Sequence, residues 1–184
     1  DCLLSPEINE EILSTIRAFM TEFKIPAYNE ETGTGIVRHA LIRNGFYTGQ
    51  IMVCLVINSE MLPHAEELVA RLGRIPGMAS ICLNINREKT NVILGSRVIN
   101  LYGPGYLEDC IGELTFRISP LSFFQVNPQQ TKKLYETALS FADLTGNEIV
   151  WDLYCGIGTI SLFLAQKAKK VYGVEIIPAA IDNA

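Results

Sequence analysis

The chain has 184 residues, of which 48% are hydrophobic and 19% are charged, a composition typical of soluble globular proteins with one domain or two small ones. The formal net charge of −5 argues against binding of nucleic acid by bulk electrostatic attraction alone. No apolar run reaches the ~20 residues that cross a bilayer and no signal peptide is recognisable, so we expect a cytoplasmic protein without a membrane partner.

The cysteine spacing indicates neither a disulfide framework nor a self-contained zinc site. The chain has five cysteines, an odd number, and no two of them have the C-x-x-C spacing. We expect most of them to be small buried hydrophobic residues.

The first part of the chain predicts a two-layer α+β domain with two helices and four or more strands. Apolar residues at helical spacing indicate the helices, and apolar runs separated by turn residues indicate the strands. In chain order, the expected elements are a helix opened by Ser5 and Pro6 and continuing to Phe23, a hairpin of residues 36–43 and 50–57 joined at Asn44-Gly45, a helix from Pro63 to about Arg74, strands at 79–85 and 92–102, and an alternating strand at Leu114, Phe116 and Ile118. The strand at 92–102 has a second interpretation, a separate hairpin folded at Gly95.

Asn127 predicts the start of a further helix. Pro128 follows it at the first helical position, and Gln130 stands three residues after the cap. Leu134 and Phe141 lie on the expected apolar side of this helix.

Phe123, Phe124 and Gln125 lie just before this helix. Paired aromatic rings next to an amide could stack on a planar base and hydrogen-bond to it or to a cofactor. Packing between two domains explains the same residues, and composition alone favours that interpretation.

The stretch from Ile149 to Glu175 predicts a strand, a glycine turn, a helix and a second strand that ends at an acid. Gly156 and Gly158 let the backbone approach a ligand closely, and the following helix presents free N–H groups at the same place, so both glycines are expected to contact a cofactor. A carboxylate at the tip of the second strand, here Glu175, can accept hydrogen bonds from both hydroxyls of a ribose.

The residues around this turn favour S-adenosylmethionine over a dinucleotide. A dinucleotide fingerprint needs a third glycine, where this chain has Ser161. Asp152, the acid before the turn, suits a ligand that has a positively charged amino acid end as well as a ribose. An ordinary strand-to-helix turn remains the alternative, and the acid at each strand end counts against it.

Three blocks of this sequence stand out together: SPLSFFQVNPQQTKKLY, DLYCGIGTISLFLA with the following GVE, and NINREKTNVILG at residues 84–95. They resemble the RNA uracil-5-methyltransferases that modify ribosomal or transfer RNA, most closely the bacterial 23S rRNA branch. The resemblance implies an α/β enzyme of three linked domains, in which a two-layer α+β central domain precedes a Rossmann-like class I methyltransferase domain dependent on S-adenosylmethionine. This chain would supply the central domain, residues 1–121, and the first part of the methyltransferase domain, residues 122–184. It is therefore expected to be a fragment truncated at both ends.

The resemblance also implies the family's chemistry, the methylation of C5 of a uridine. A cysteine thiolate adds to C6 and makes C5 nucleophilic, C5 takes the methyl group of S-adenosylmethionine, and a carboxylate base removes the C5 proton as the cysteine leaves. Both catalytic groups are expected beyond Ala184, so this fragment by itself is expected to be inactive. Cys155, in the glycine turn, is not expected to be the nucleophile.

Residue by residue, the resemblance assigns cofactor contacts to Gln125, Tyr154 and Glu175. Phe123, Phe124 and Gln125 match the F-x-Q element of the family. Phe123 stands at its first position and is expected to contact the substrate. Several relatives have an asparagine at the position of Thr159, where the shorter hydroxyl of this chain could still accept a bond at the helix start.

Cys2 matches a position that holds iron in some relatives. Some rRNA enzymes of the family bind a [4Fe–4S] cluster through three upstream cysteines and one cysteine before a segment like LLSPEINEEIL. A cluster needs all four thiolates, so it is expected in the full-length protein only, with Cys2 as one metal ligand.

Three functions stay open: an RNA uracil-5-methyltransferase acting on rRNA or, second, on tRNA; a methyltransferase for a small molecule or a protein; and a non-catalytic RNA- or nucleotide-binding module. The F-x-Q element favours the first, because a base must be flipped from its stack before its ring carbon is reachable. A chain that ends within a parallel sheet exposes strand edges. We therefore expect the last two strands of the fragment to fold against the central domain, to fray, or to pair between two copies of the fragment.

Overall fold

The computed structural model describes residues 6–182. The expected cluster ligand Cys2 and the expected helix cap Ser5 therefore lie outside the described residues. Within that range the elements are α1 (Ile8–Glu22), β1 (Val37–Asn44), β2 (Ile51–Ile57), α2 (Ala65–Leu72), β3 (Met78–Ile85), β4 (Arg97–Tyr102), β5 (Leu107–Ile111), β6 (Leu114–Ile118), α3 (Pro128–Ala142), β7 (Ile149–Asp152), α4 (Thr159–Ala165), β8 (Lys170–Gly173) and α5 (Pro178–Asp182). They form two compact units, one made of the described residues up to 45 together with 49–107, and one made of 46–48 together with the described residues from 108 onward.

The first unit contains a four-stranded sheet in the order β1-β2-β3-β4. β1 and β2 pair antiparallel, with Asn44 opposite Ile51, which confirms the predicted hairpin. β2 and β3 pair parallel, because α2 lies between them in the chain and returns it to the same end of the sheet. β3 and β4 pair antiparallel. The sheet therefore contains both parallel and antiparallel strand pairs, an arrangement that the strand patterns did not predict.

The core of the first unit lies between its two helices and one face of the sheet. Side chains of α1, α2 and alternate positions of β2 form one buried cluster, which includes Ile12, Ile16, Phe19, Leu68, Leu72, Val53, Leu55 and Ile57. Each fully buried side chain of this size stabilises the fold by roughly 1.5–3 kcal/mol. All seven residues of β2 are buried, as expected for a central strand that is covered on both faces.

None of the helices among residues 6–182 has the length and apolar character that crossing a bilayer requires.

A pair of cysteines lies on the other side of β2. Cys54 is directly opposite Cys82 of β3 in the parallel register, and both side chains are 0% exposed. Burial raises the pKa of Cys54 to about 12 and that of Cys82 to about 11, because the thiolate would lose its hydration. Both residues are therefore protonated at neutral pH and behave as the small buried hydrophobic residues that the sequence predicted.

We expect Cys54 and Cys82 to resist alkylation in the folded protein. At pH 8 a thiol with a pKa of about 12 is ionised in about one molecule in ten thousand, and burial also excludes the reagent. Iodoacetamide at pH 8, followed by peptide mass spectrometry of the full-length protein, should modify the less buried Cys110 at least about tenfold faster than either residue. In denaturing urea the three should react at similar rates. Equal rates before unfolding would contradict the burial of the pair.

The predicted strand at residues 92–102 is wrong in its first part. β4 begins at Arg97, and residues 86–96 form an irregular segment. The buried side chain of Asn84 donates to the carbonyl of Gly95 and accepts its N–H, both at 2.7 Å. Because these backbone groups bond to a side chain, Gly95 cannot contribute them to a strand ladder, and neither the long strand nor the separate hairpin forms.

The second unit contains two small sheets. β5 and β6 pair with each other across a turn at Gly112, whose φ is 63°, and β7 and β8 pair parallel with Val150 opposite Val171. The predicted alternating strand is β6, whereas β5 was not predicted. The β5–β6 turn lies against α4, because a Cβ at Gly112 would come within 3.5 Å of the Phe163 ring. The second unit begins at residue 108, apart from residues 46–48, and the predicted domain boundary between residues 121 and 122 stays a prediction.

Helix α3 begins as predicted but buries a different side. The side chain of Asn127 accepts the backbone N–H three residues later at 3.1 Å, which confirms the cap. Leu134 and Phe141, on the expected apolar side, are 59% and 85% exposed. Thr131 and Tyr135 are buried instead, because their side of the helix packs against α4.

Candidate functional site

The glycine turn joins the carboxyl end of β7 to the start of α4. Gly156 and Gly158 have φ angles of 56° and 79°, in the left-handed region that residues with a Cβ adopt only at a cost. A Cβ at Gly156 would meet no atom within 4 Å, so the backbone is open on that side. A ligand can therefore approach the main chain of the turn closely.

Glu175 follows β8 and reaches the glycine turn. Its Oε2 accepts the N–H of Gly156 at 3.0 Å, and its Oε1 accepts the N–H of Ile177 at 2.9 Å. The bond from Ile177, together with the bond from Gly156, lowers the pKa of the carboxyl, so the group is charged at neutral pH. Each carboxylate oxygen has a second lone pair. Glu175 can therefore accept two hydroxyl donors while it remains bonded to the turn.

Asp152, the acid at the end of β7, is held by Ser161. The Ser161 hydroxyl donates to Oδ2 of Asp152 at 2.6 Å, and the N–H of Tyr154 donates to Oδ1 at 3.3 Å. Ser161 stands where a dinucleotide fingerprint has its third glycine, and its hydroxyl ties α4 to the tip of β7. Serine in place of the third glycine thus has a structural role here. The serine at that spacing was the sequence signal from which its bond to Asp152 could have been predicted.

Cys155 lies beneath the turn and is 8% exposed. A Cβ at Gly173 of β8 would approach its Sγ to 2.9 Å, so the close packing of turn and strand depends on that glycine. Burial raises the pKa of the Cys155 thiol, and the negative charges of Asp152 and Glu175 raise it further. The thiol is therefore protonated, unlike a nucleophilic cysteine. The same two charges favour a positively charged group near the turn.

The other predicted contact residues are exposed or half-buried around the turn and before α3. Tyr154 is 91% exposed and Phe123 is 76% exposed, whereas Gln125 is half-buried. Phe124 packs against Phe116 of β6 with ring centroids 6.0 Å apart, so the two adjacent aromatic residues have different surroundings. Among residues 6–182, no hydrogen bond or ring contact of Phe123 or Gln125 reaches the glycine turn. Their predicted roles stay predictions.

Thr159, the first residue of α4, has a partner that sequence reasoning missed. Its hydroxyl lies 2.8 Å from the hydroxyl of Tyr135 on α3. No sequence signal connects these two residues, because the pairing depends on how the two helices pack.

In the part of the chain that is described, no three His, Cys, Asp or Glu side chains come together to hold a metal ion.

Comparison with known proteins finds relatives along the whole chain. A family model described as tRNA (uracil-5-)-methyltransferase matches residues 106–184. An RNA methyltransferase of Clostridium acetobutylicum is 55% identical over 184 residues, and one of Halalkalibacterium halodurans is 49% identical over 185 residues. Each comparison covers 100% of this chain and 40% of the relative. These matches confirm the predicted resemblance, and the chain spans less than half the length of the relatives.

A solved structure resembles this chain over its full length. The Pyrococcus abyssi tRNA (uracil-54, C5)-methyltransferase, in complex with S-adenosyl-L-homocysteine, has a TM-score of 0.82 at 26% identity. The comparison covers 100% of this chain and 44% of that one. It confirms the predicted fold class, an α/β chain with a Rossmann-like methyltransferase part.

Proposed function

We propose that the protein containing this chain methylates C5 of a uridine in RNA, with S-adenosylmethionine as the methyl donor, because residues 106–184 match the tRNA (uracil-5-)-methyltransferase family model. The bond between Glu175 and the N–H of Gly156 carries the proposal, because it joins a strand-tip acid to a glycine turn, the two parts that a ribose-bearing cofactor needs. The S-adenosyl-L-homocysteine bound by the Pyrococcus abyssi neighbour supports the same cofactor.

The residues of the turn fit S-adenosylmethionine. The open backbone at Gly156 admits the cofactor, and the unused lone pairs of Glu175 accept the two ribose hydroxyls. The charges of Asp152 and Glu175 favour its cationic methionine end. When bound, the cofactor supplies a methyl group on a positively charged sulfur, which an activated uracil carbon can attack.

The exposed residues beside the turn complete the proposed site. Tyr154, 91% exposed, contacts the cofactor from the turn. Phe123, 76% exposed, offers a ring face on which a flipped base stacks, a contact worth about 1–3 kcal/mol per base where it has been measured. Gln125, two residues further on, hydrogen-bonds to the methionine end or to the target base through its amide.

The proposed substrate is RNA, and we take 23S rRNA first because the sequence blocks resemble that branch most closely. The Pyrococcus abyssi neighbour is a tRNA methyltransferase, which makes tRNA the second candidate. The relatives are longer than this chain, and we place the nucleophilic cysteine and the base in that additional length. The role of Cys2 as a cluster ligand, the cytoplasmic location and the self-association of the fragment stay predictions.

A deletion strain tests the function directly. Mass spectrometry of nucleosides and oligonucleotides from rRNA and tRNA should show that 5-methyluridine is lost at one or more positions, first of all in 23S rRNA. Expression of the full-length wild-type protein should restore the modification. Unchanged 5-methyluridine throughout both RNA classes would reject the proposal.

A further inference from the structure

Helix α3 is tied to the helix that follows the glycine turn by a pair of hydroxyl groups. The hydroxyl of Tyr135 lies 2.8 Å from that of Thr159, the first residue of α4. The Tyr135 ring meets the ring of Phe163 on α4 edge-on, with centroids 5.3 Å apart. Tyr135 and Phe163 are each 6% exposed, so the ring contact is shielded from water, and the hydrogen bond is partly shielded because Thr159 is half-buried.

The position of the Tyr135 hydroxyl leaves it little freedom. A buried tyrosine needs a partner for its O–H, because an unpaired buried hydroxyl costs free energy. The ring contact with Phe163 fixes the direction in which the Tyr135 side chain points. The hydrogen bond therefore fixes the position of Thr159 relative to α3. Thr159 directly follows Gly158, the last residue of the glycine turn.

Other side chains hold the rest of the turn. Glu175 accepts the N–H of Gly156 from the side of β8, and Ser161 donates to Asp152 at the end of β7. Tyr135 adds the attachment from α3, the helix whose cap, Asn127, lies two residues after Gln125 in the chain. Helix α3 thus begins just after the F-x-Q element and contacts the start of α4 through Tyr135.

We propose that Tyr135 and Thr159 are positioning residues of the cofactor site, whose hydrogen bond holds the glycine turn and the F-x-Q segment in the arrangement that binds S-adenosylmethionine. The inference rests on the proposed function. Thr159 acts through its hydrogen bond to Tyr135 on α3, and its side chain has no amide to offer the cofactor, unlike the asparagine that several relatives have at this position. Preorganising a site in this way improves affinity, because less order is lost on binding.

Two substitutions remove the hydrogen bond and keep the packing. Tyr135→Phe keeps the ring against Phe163, and Thr159→Val keeps the size and branching of the side chain. In the full-length protein, each should weaken the binding of S-adenosyl-L-homocysteine about fivefold by calorimetry, the effect of losing one typical hydrogen bond. The double variant should bind no more than about twofold weaker than either single variant, because both remove the same bond.

Three further measurements separate positioning from general stability. Thr159→Ser keeps the hydroxyl and should restore affinity to within about twofold of the wild type. Thr131→Val is the matched control, because its buried hydroxyl donates to the Asn127 carbonyl within α3 and does not reach α4. It should lower the thermal midpoint by as much as Tyr135→Phe and leave the affinity unchanged. With RNA substrate, Tyr135→Phe should raise the KM for S-adenosylmethionine and retain most of kcat.

The possible failures have different signatures. A wild-type protein that does not bind S-adenosyl-L-homocysteine would reject the proposed function itself. A wild type that binds, with Tyr135→Phe and Thr159→Val variants that are folded and bind equally well, would overturn the positioning role. Affinity that follows thermal stability across all the variants, Thr131→Val included, would overturn it as well.

Discussion

Replacement of Glu175 by alanine in the full-length protein should weaken the binding of S-adenosylmethionine at least about tenfold, because the ribose hydroxyls would lose charge-assisted hydrogen bonds. The same change removes the acceptor of the Gly156 N–H, so the turn also loses one of its two hydrogen bonds to the residues after β8, while the bond from the Cys155 N–H to the Val174 carbonyl remains. Glu175→Gln keeps the size of the side chain and one acceptor oxygen. It should bind with intermediate affinity, and calorimetry with S-adenosyl-L-homocysteine can measure all three proteins.

Glu148 provides a matched control for Glu175. Its carboxylate also accepts backbone N–H groups in the same unit, from Thr145 at 2.9 Å and from Gly146 at 3.1 Å, but these belong to the turn before β7. Glu148→Ala should therefore lower thermal stability and leave cofactor affinity within about twofold. Unaltered affinity in Glu175→Ala, or an equal loss in Glu148→Ala, would refute the assignment of the ribose contact to Glu175.

A valine at Gly156 should reduce cofactor affinity by more than about tenfold and also destabilise the protein. The φ of 56° places this residue in the left-handed region, which costs an L-residue roughly 1–2 kcal/mol. A Cβ would meet no protein atom within 4 Å, so the added side chain would occupy the open side of the turn, where the cofactor is proposed to bind. Gly156→Ala should show a smaller loss of affinity. Calorimetry and thermal unfolding measure the two effects separately.

Gly49, in the turn between β1 and β2, separates backbone strain from obstruction of the site. Its φ is 67°, and a Cβ there would likewise meet nothing within 4 Å. Gly49→Val should therefore lower the thermal midpoint about as much as Gly156→Val, with cofactor affinity unchanged. Equal losses of affinity in the two variants would show that destabilisation alone explains the effect at Gly156.

The sequence by itself determined the elements whose signals lie close together in the chain. Asn44-Gly45 between two apolar runs was sufficient for the β1–β2 hairpin, because strand pattern and turn residues are adjacent. Asn127 before Pro128 was sufficient for the start of α3, because a cap bonds within one helical turn. The strand, glycine turn and helix from β7 to α4 were recognised in the same way, and with them the resemblance that the family model confirms.

Only the tertiary structure decided which surfaces are buried. Hydrophobicity favoured Leu134 and Phe141 as the inner side of α3, whereas packing on α4 buries Thr131 and Tyr135. The apolar run after residue 91 favoured a strand, but the bonds of Asn84 to Gly95 withdraw the backbone from the ladder. In both cases a contact with another element outweighed a local preference.

The same holds for the pairs that shape the site. Gly156 and Glu175 are 19 residues apart and Tyr135 and Thr159 are 24 apart, and each pair meets through one hydrogen bond. A motif predicted the first pair as parts of one site, whereas no sequence signal predicted the second. Local patterns report the conformational preferences of neighbouring residues, but a bond between distant side chains exists only once the helices and strands that carry them have packed together.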